Sequence, residues 1–158
     1  MVKWKHSDKS NDRIYSVMEQ DNSVILDSRG SASSTDIGAV KQTAYPESIR
    51  DKRIRFKAEI STQDAEGAGL WLTASSKNWH ITDGMYDRLV KGNMDWQHFE
   101  LVIHAPSETT YLSYGLWMKG NGICKMRNPV FETVEDSVSL TTSKIWDCVG
   151  NDRWEERF

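Results

Sequence analysis

Apolar and polar residues alternate with a period of two along much of the chain, a pattern typical of β-strands with one buried face. The clearest example runs from Lys52 to Ile60, where Ile54, Phe56 and Ala58 alternate with charged residues. One face of this segment is apolar, and the other carries Arg, Lys and Glu side chains. The pattern therefore predicts a strand that lies between a hydrophobic core and solvent.

The longest alternation lies between Asp95 and Gly120. Phe99, Leu101, Ile103 and Ala105 share one parity, and His98, Glu100, Val102 and His104 take the other. Pro106 ends the run because proline cannot donate a hydrogen bond to a strand ladder. A second run begins at Tyr111 after a short polar segment. We interpret the two runs as a β-hairpin around which the core condenses.

Shorter apolar runs, separated by Gly, Ser, Asn or Pro, predict further strands. They are Arg13–Met18, Val24–Asp27, Ile37–Thr43, Leu70–Ala74 and Ile123–Val134, with Val138–Thr142 as a short edge strand. Pro129 lies inside one of these runs and indicates an edge or a bulge there. Many short strands without a βαβ alternation indicate an all-β, two-sheet antiparallel sandwich.

The strand parities also predict the core of this sandwich. The residues expected to be buried between the two sheets are Phe56, Ile60, Leu70, Leu72, Phe99, Leu101, Ile103, Leu112, Leu116 and Phe131. A chain of 158 residues is long enough to form one domain around such a core.

The segments between the strands predict turns and loops. E-G-A-G at residues 66–69 is typical of a turn, and Y-P-E-S-I-R-D at residues 45–51 of one helical turn. The polar stretch Asn78–Asn93 is the longest candidate for a functional loop. The apolar residues of 143–158 hold no single period, so we expect a tail that packs on a domain formed by residues 1–142 or on a partner.

Charge and composition narrow the functional classes. The formal net charge of −3 gives no electrostatic attraction to nucleic acid. The charged N-terminus has no apolar run behind it, and no stretch approaches the ~20 apolar residues that cross a bilayer. We therefore expect a cytoplasmic protein without membrane contact, whose Cys124 and Cys148 are reduced thiols.

Four segments, in this order, resemble a bacterial β-sandwich domain that occurs alone or appended to AraC-type transcriptional regulators. They are K-R-I-R-F-K-A-E-I-S-T at 52–62, G-A-G-L-W-L at 67–72, Y-D-R-L-V-K-G-N-M-D-W-Q-H-F-E-L-V-I-H-A-P at 86–106 and F-E-T-V at 131–134. The resemblance covers residues 4 to 142 and implies a jelly roll related in shape to galactose-binding and carbohydrate-binding domains. It implies no particular ligand. Because the chain carries no recognisable DNA-binding segment, it implies no DNA-binding activity either.

Many carbohydrate-binding jelly rolls hold a structural calcium ion, which needs carboxylate oxygens as ligands. Such modules often carry paired aspartates just before the last strand. The corresponding region here reads C-K-M-R-N-P-V-F, with Arg127 in that place. This departure argues against calcium, and we predict neither a metal ion nor a cofactor.

Aromatic residues provide the strongest functional signal. In the Leu70–Ala74 run, Trp71 has the parity opposite to the leucines and faces away from the core. The same argument directs Tyr111 and Trp117 outward on a neighbouring strand, with Gly115 leaving a hollow beside them. Flat aromatic faces suit the apolar sides of sugar rings. The sequence therefore predicts an aromatic binding face.

We expect hydrogen-bonding partners for this face to come from the neighbouring loop. The candidates are Asn78, His80 and Asp83, which follow the strand that carries Trp71. The alternative is that the N-terminal segment or the tail covers the face, so that its tryptophans serve only packing.

Two other groups of polar residues suggest chemistry, and each has a simpler explanation. His98, Glu100 and His104 share one parity, but the histidines lie roughly 20 Å apart along a strand at ~3.3 Å per residue, too far to share one zinc ion. Asp83, Asp87 and Glu100 could supply a glycosidase pair, but nothing in the sequence fixes the required spacing of ~5–9.5 Å. Both groups are typical of solvated polar surfaces.

The sequence contains no nucleophile elbow and no phosphate-binding loop, so we predict a non-catalytic domain. The leading interpretation is a ligand-recognition or sensor domain associated with bacterial regulation, with a carbohydrate or another small molecule as ligand. The alternative is a protein–protein interaction module that forms a homodimer or binds a partner chain. A hydrolase of unknown type is a weaker third hypothesis.

Overall fold

The computed structural model describes residues 4–7 and 10–157, so parts of the polar N-terminal segment and the final residue lie outside the described residues. The strands are β1 (Lys5–His6), β2 (Ser16–Gln20), β3 (Ser23–Asp27), β4 (Ile37–Ala44), β5 (Lys52–Ser75), β6 (Trp79–Asp83), β7 (Val90–Ala105), β8 (Tyr111–Lys119), β9 (Ile123–Val134), β10 (Trp146–Gly150) and β11 (Arg153–Glu156). A 3₁₀ turn at Pro46–Ser48 confirms the predicted helical turn. No helix in the described ranges is long and apolar enough to span a bilayer.

Strand pairing arranges these elements in two antiparallel layers. The first layer has the order β1-β4-β8-β5-β6-β10-β11, and the second has the order β2-β3-β9-β5-β7. Strand β5 belongs to both layers. Its N-terminal part pairs with β9 up to Gln63 and with β7 up to Ala68, and its C-terminal part, from Ala68, pairs with β8 and β6. The predicted all-β, two-sheet jelly-roll sandwich is confirmed.

The core lies between the two layers. On β5, Ile54, Phe56, Ala58 and Ile60 are buried and the intervening charged residues are half-buried or exposed, as the alternation predicts. The Tyr114 ring of the first layer contacts Phe56 and stacks on Phe131 of the second, with ring centroids 4.9 Å and 4.5 Å away. Buried apolar area of this kind is the main favourable term in folding.

Most of the predicted core residues are fully buried. The exceptions are Phe99 and Phe131, which pack against the core but remain half-buried. Phe99 lies on β7, which is the edge strand of the second layer and is therefore covered by a neighbouring strand on one side only. Parity gives the direction of a side chain, but not how completely neighbouring elements cover it.

Tyr15, directly before β2, connects the second layer to the strands that carry the candidate site. Its hydroxyl donates to the carbonyl oxygens of Gly120 and Asp36, at 2.6 and 3.1 Å, beyond the ends of β8 and β4. Its ring packs against Gly38, where a Cβ atom would overlap the ring. Burial raises the pKa of Tyr15 to about 12, because the charged phenolate is disfavoured there.

The predicted hairpin of two long strands is wrong. Strands β7 and β8 follow one another in sequence, but β7 pairs with β5 in the second layer and β8 pairs with β4 and β5 in the first. The connecting segment crosses between layers, and Thr110 donates its backbone N–H to the carbonyl of Ser75 at 2.9 Å. Periodicity identifies a strand and its buried face. It does not show whether two successive strands pair in one sheet or face each other across the core from two layers, because both arrangements produce the same alternation.

The predicted turn at residues 66–69 is also wrong, because β5 runs through it without interruption from Lys52 to Ser75. Its glycines serve close packing. A Cβ at Gly69 would lie 3.2 Å from the Cβ of Met85, and one at Gly67 would lie 3.2 Å from Leu89. The register of β5 against β7 shifts in this region, so the strand bends from one layer to the other through bulges.

The remaining differences concern the segments expected to be irregular. The stretch Asn78–Asn93 contains β6 and the start of β7, which leaves a shorter loop at residues 84–89. Residues 138–142 form no strand, although Thr141 donates its backbone N–H to Val102 at 2.9 Å. The tail forms the hairpin β10–β11, and β10 pairs with β6. In β9, the predicted bulge near Pro129 is confirmed by a register shift opposite Lys57–Glu59.

Candidate functional site

A cavity of about 650 Å³ opens on the outer face of the first layer. Its floor is formed by the outward-facing residues of β4, β8, β5 and β6, and its rim includes a residue of β11. The lining residues are Ser7, Ile37, Ala39, Lys41, Trp71, Thr73, Ser75, Ser76, Lys77, His80, Thr82, Tyr86, Tyr111, Ser113, Trp117 and Trp154. The volume falls within the range of about 300–1,000 Å³ that is usual for small-molecule sites.

Strand register explains why a hollow exists at this position. Lys41, Gly115 and Trp71 lie side by side on three adjacent strands, β4, β8 and β5. Gly115 has no side chain, and a Cβ there would collide with the backbone carbonyl of Val40. Trp71 and Lys41, which both line the cavity, therefore lie two strand spacings apart, about 9–10 Å, with no side chain at the position between them.

One wall of the cavity is built from Trp117 and Tyr86. Trp117 is 9% exposed, and its indole N–H donates to the carbonyl of Gly84 at 2.9 Å. The Tyr86 ring lies over Trp117, with centroids 5.5 Å apart, and is 68% exposed. Tyr86 therefore presents the accessible ring at this wall, and Trp117 supports it from beneath.

The loop that carries Tyr86 is fixed at its base. The Asp83 carboxylate is 5% exposed, accepts the backbone N–H of Met85 at 3.0 Å and pairs with Arg88 at 2.7 Å. Met85 has a φ of 58° and is fully buried. These contacts hold Tyr86 in place without help from a ligand, which reduces the ordering that binding would require.

A second part of the cavity wall involves the C-terminal hairpin. Trp146 pairs with His80 in the β10–β6 register, and their rings stack with centroids 6.5 Å apart. Trp154 of β11 contacts His80 edge to face at 4.6 Å and is 40% exposed. The hairpin thus adds an aromatic ring to the rim of the cavity.

Hydroxyl groups form a polar row across the floor. Thr73 and Thr82 are hydrogen bonded to each other at 2.9 Å, and the Nδ1 atom of His80 lies 3.1 Å from the Thr82 hydroxyl. Ser113 lies 3.5 Å from the indole N–H of Trp71, which can donate to its hydroxyl oxygen. Hydroxyls both donate and accept hydrogen bonds, as the hydroxyl groups of a saccharide require.

Four of the six predicted site residues line the cavity, namely Trp71, Tyr111, Trp117 and His80. The other two do not. Asp83 points to the opposite side of β6 and is held by Arg88, because two successive residues of a strand face opposite ways. Asn78 lies in the bend before β6, where its backbone carbonyl accepts the N–H of Cys148 at 2.8 Å.

Sequence reasoning missed Tyr86, Trp154 and Lys41 as lining residues. Lys41 follows from alternation within β4, once β4 is known to adjoin β8. Tyr86 lies in a loop, and Trp154 in a segment whose apolar residues hold no single period, so no pattern in the sequence directs either ring toward the cavity.

The other polar groups do not assemble into a catalytic or metal site. His98 pairs with Glu100 and His104 with Asp51 on the second layer, at 3.4 and 3.1 Å. Asp87 is bonded to Arg88, which lowers the pKa of the Asp87 carboxyl. Among the described residues, no group of three or more His, Cys, Asp and Glu side chains could hold a metal ion. Both cysteines are free thiols.

Several solved structures with this architecture are carbohydrate-binding modules. The chain aligns with the CBM22-1–GH10 modules of Clostridium thermocellum endo-1,4-beta-D-xylanase 10B, complexed with xylohexaose, at a TM-score of 0.59 and 6% identity, covering 88% of this chain and 27% of that chain. It aligns with the CBM22-1 xylan-binding domain of Paenibacillus barcinonensis Xyn10C at 0.54 and 9% identity, over 84% and 86%. The family 16 carbohydrate-binding module-2 gives 0.55 and 11%, over 77% and 86%. The fold is the carbohydrate-binding-module jelly roll.

The amino-acid sequence is similar to part of a transcriptional regulator. The chain is 30% identical over 97 residues to an uncharacterized HTH-type transcriptional regulator, YbfP, of Bacillus subtilis strain 168. The match covers 60% of this chain and 33% of the regulator, so the chain spans about a third of the length of that relative. No protein-family model matches the chain. Together with the fold, this similarity confirms the resemblance to a regulator-associated jelly roll.

Proposed function

We propose that the chain is a non-catalytic recognition domain that binds a short saccharide in the cavity of the first layer. One observation carries the proposal: the accessible rings of Trp71, Tyr111, Tyr86 and Trp154 surround a single cavity on a carbohydrate-binding-module jelly roll. The faces of sugar rings are rich in apolar C–H groups and pack well against aromatic side chains. The hydroxyl row on the floor supplies hydrogen bonds to the sugar hydroxyls.

The charge of the cavity supports a non-catalytic role. Hydrolysis of a glycosidic bond by the usual route needs two carboxyl groups that flank the bond. Within the described part of the chain, no Asp or Glu lines the cavity. Of the carboxylates that the sequence suggests for catalysis, Asp83 is buried and paired with Arg88, and it does not line the cavity.

The regulatory role that we propose is that of a sensor, since the chain resembles both a sugar-binding fold and a part of an HTH-type regulator. Saccharide binding to this domain would then signal the presence of the sugar to the protein with which the domain is associated. A preformed cavity suits this task, because ligand binding costs little reorganisation.

Isothermal titration calorimetry tests the proposal, first with xylohexaose and β-1,4-galactotriose and then with the hits of a glycan array. We expect Trp71→Ala and Tyr111→Ala each to weaken binding about tenfold or more, because each removes a stacking surface. Tyr45→Ala is the matched control, since Tyr45 is 85% exposed and outside the cavity lining. Chromatography after incubation should recover the saccharide intact.

Absence of binding to every glycan would contradict the proposal and favour an interaction module. A specific observation supports that second candidate: β11 is an edge strand of the first layer and carries Trp154, which is 40% exposed, and Val149 of the neighbouring β10 is also exposed. Exposed edge strands pair readily with other chains. Light scattering coupled to size-exclusion chromatography would then show a dimer that Trp154→Ala weakens.

A further inference from the structure

We propose that the saccharide recognised by this cavity carries an apolar substituent, such as an ester-linked acyl group or the aglycone of a glycoside. The inference rests on the proposed function and specifies the chemical class of its ligand. It follows from the separation of hydroxyl-bearing and apolar side chains into two halves of one cavity.

Strand register places the hydroxyl groups in one half of the cavity. Two residues from Gly115 along β8, Ser113 pairs with Thr73 of β5, and Thr73 pairs with Thr82 of β6. Their side chains lie next to one another across the three strands, and Ser75 continues this polar floor along β5. A hydroxyl that donates one hydrogen bond can still accept others, so this hydroxyl half suits the hydroxyl groups of a sugar.

The other half of the cavity is apolar. Two residues from Gly115 in the opposite direction along β8, Trp117 pairs with Ala39 of β4. Ile37 follows Ala39 on the same face of β4, and the Tyr86 ring lies over Trp117 with centroids 5.5 Å apart. Ile37, Ala39, Tyr86 and Trp117 form the apolar half. Its accessible surface comes mainly from Ile37 and Tyr86, which are 37% and 68% exposed.

The apolar half contains few hydrogen-bonding groups. Among its four residues, the side-chain groups are the Tyr86 hydroxyl and the Trp117 N–H, which already donates to the Gly84 carbonyl at 2.9 Å. Ser7 borders this half, because its backbone N–H donates to the Ala39 carbonyl at 2.9 Å. A bare sugar hydroxyl placed against aliphatic side chains loses hydrogen bonds to water without replacement. An apolar group gains free energy by leaving water at the same place.

A substituent of a sugar bound at Trp71 can reach the apolar half. Trp117 pairs with Gly69, which precedes Trp71 by two positions on β5. The offset between the two tryptophans along the strand is therefore about 7 Å, since a strand rises by 3.2–3.4 Å per residue. A sugar that stacks on Trp71 and bonds to Thr73 has its opposite edge toward Trp117. A group attached at that edge enters the apolar half.

Pairs of ligands that differ only in an apolar substituent test the inference. The first pair is acetylated xylotetraose and the same oligosaccharide after alkaline deacetylation. The second pair is the phenyl and methyl glycosides of xylotriose, and the third is the same two glycosides of galactotriose. We expect the more apolar member of at least one pair to bind about tenfold more tightly in calorimetry, because it buries additional apolar surface. The first pair tests an ester-linked acyl group and the other two test an aglycone.

Variants of the two halves connect this preference to the cavity. Ile37→Thr and Tyr86→Ser should each reduce the ratio of the two affinities severalfold, because they remove apolar surface from the place of the substituent. Thr73→Val should weaken both members by a similar factor and keep the ratio, because it removes a hydrogen-bonding group from the hydroxyl half. Val130→Thr is the matched control, since Val130 is 40% exposed on β9 and outside the cavity lining.

The outcomes separate this inference from the proposed function. If the two members of every pair bind equally, or if Ile37→Thr and Tyr86→Ser both retain the full preference, the apolar substituent is excluded and the saccharide-binding function stands. If no member of any pair binds, both proposals fail together. Phenol alone should bind far more weakly than the phenyl glycosides, and equal binding of phenol would contradict both proposals.

Discussion

Among the individual residues, two tryptophans of the candidate site have different roles. Trp117 is buried, bonded to the Gly84 carbonyl and covered by Tyr86, whereas Trp71 remains half-buried with its ring on the cavity floor. Trp117 is therefore a supporting residue of the wall. Its removal should disturb the loop as well as the cavity.

We predict that Trp117→Ala lowers the free energy of unfolding by about 3–5 kcal/mol, the usual cost of removing a large buried aromatic side chain. Trp71→Ala should cost clearly less, because much less of its contact area is lost from the core. Urea denaturation followed by circular dichroism measures both values. Equal costs for the two variants, or a cost below about 1 kcal/mol for Trp117→Ala, would contradict this division of roles.

Some residues of the candidate site could be predicted from the sequence and others could not. Trp71 and Tyr111 could be predicted because they lie on strands, where parity sets the direction of a side chain. The position of Tyr86 could not be predicted, since the direction of its side chain depends on the buried Met85 with positive φ and on the Asp83–Arg88 pair. These contacts, together with the hydrogen bond from Trp117 to the Gly84 carbonyl, fix a loop, and strand periodicity does not predict the direction of a loop side chain.

At the scale of secondary-structure elements, the positions of strands could be predicted from the sequence, but the pairing of strands could not. The pattern from Lys52 to Ile60 identified a real strand and its buried face. It gave no sign that the strand continues to Ser75 and serves both layers. The two glycines that suggested a turn are present because the Tyr86 loop packs closely against them.

The C-terminal hairpin is the element whose role is easiest to test. It adjoins the sandwich through a short pairing of β10 with β6, and it supplies Trp154 to the cavity rim. We predict that ending the chain after Ile145, which packs against the core, leaves the sandwich folded and weakens saccharide binding severalfold. Circular dichroism and calorimetry measure the two effects.

The matched variant for this truncation is Trp154→Ala, which keeps the hairpin and removes only the ring. It should weaken binding by a similar factor, because the ring is the part of the hairpin that borders the cavity. If the truncated protein binds as tightly as the full chain, the hairpin is no part of the site.

At the scale of the whole molecule, the shared strand β5 joins the two layers. Leu101 of β7 lies opposite Phe56 in the second layer, and Phe56 contacts Tyr114 of the first. Because one strand and one core connect both layers, neither has a separate set of buried contacts. We therefore expect the domain to unfold in a single cooperative transition.

Two reporters can test this cooperativity, one in each layer. Tryptophan fluorescence in a Trp96→Phe background reports the first layer, because Trp96 lies on β7 of the second layer whereas Trp71 and Trp117 lie on β5 and β8 of the first. Thiol labelling of Cys124 in a Cys148→Ser background reports the second layer, since Cys124 lies buried on β9. Burial raises the pKa of the Cys124 thiol above its ordinary value, so the folded protein should resist labelling.

We predict that Leu101→Ala lowers the free energy of unfolding by about 2–5 kcal/mol, because it leaves a cavity at a fully buried position. The midpoints from fluorescence and from Cys124 labelling should coincide in the parent protein and shift together in the variant. Val130→Ala is the control, since Val130 is 40% exposed on β9 and should shift the stability by no more than about 0.5 kcal/mol. Labelling of Cys124 at a lower denaturant concentration than the fluorescence change would show that the layers unfold separately, and β5 would then not transmit stability between the second layer and the sugar-binding face.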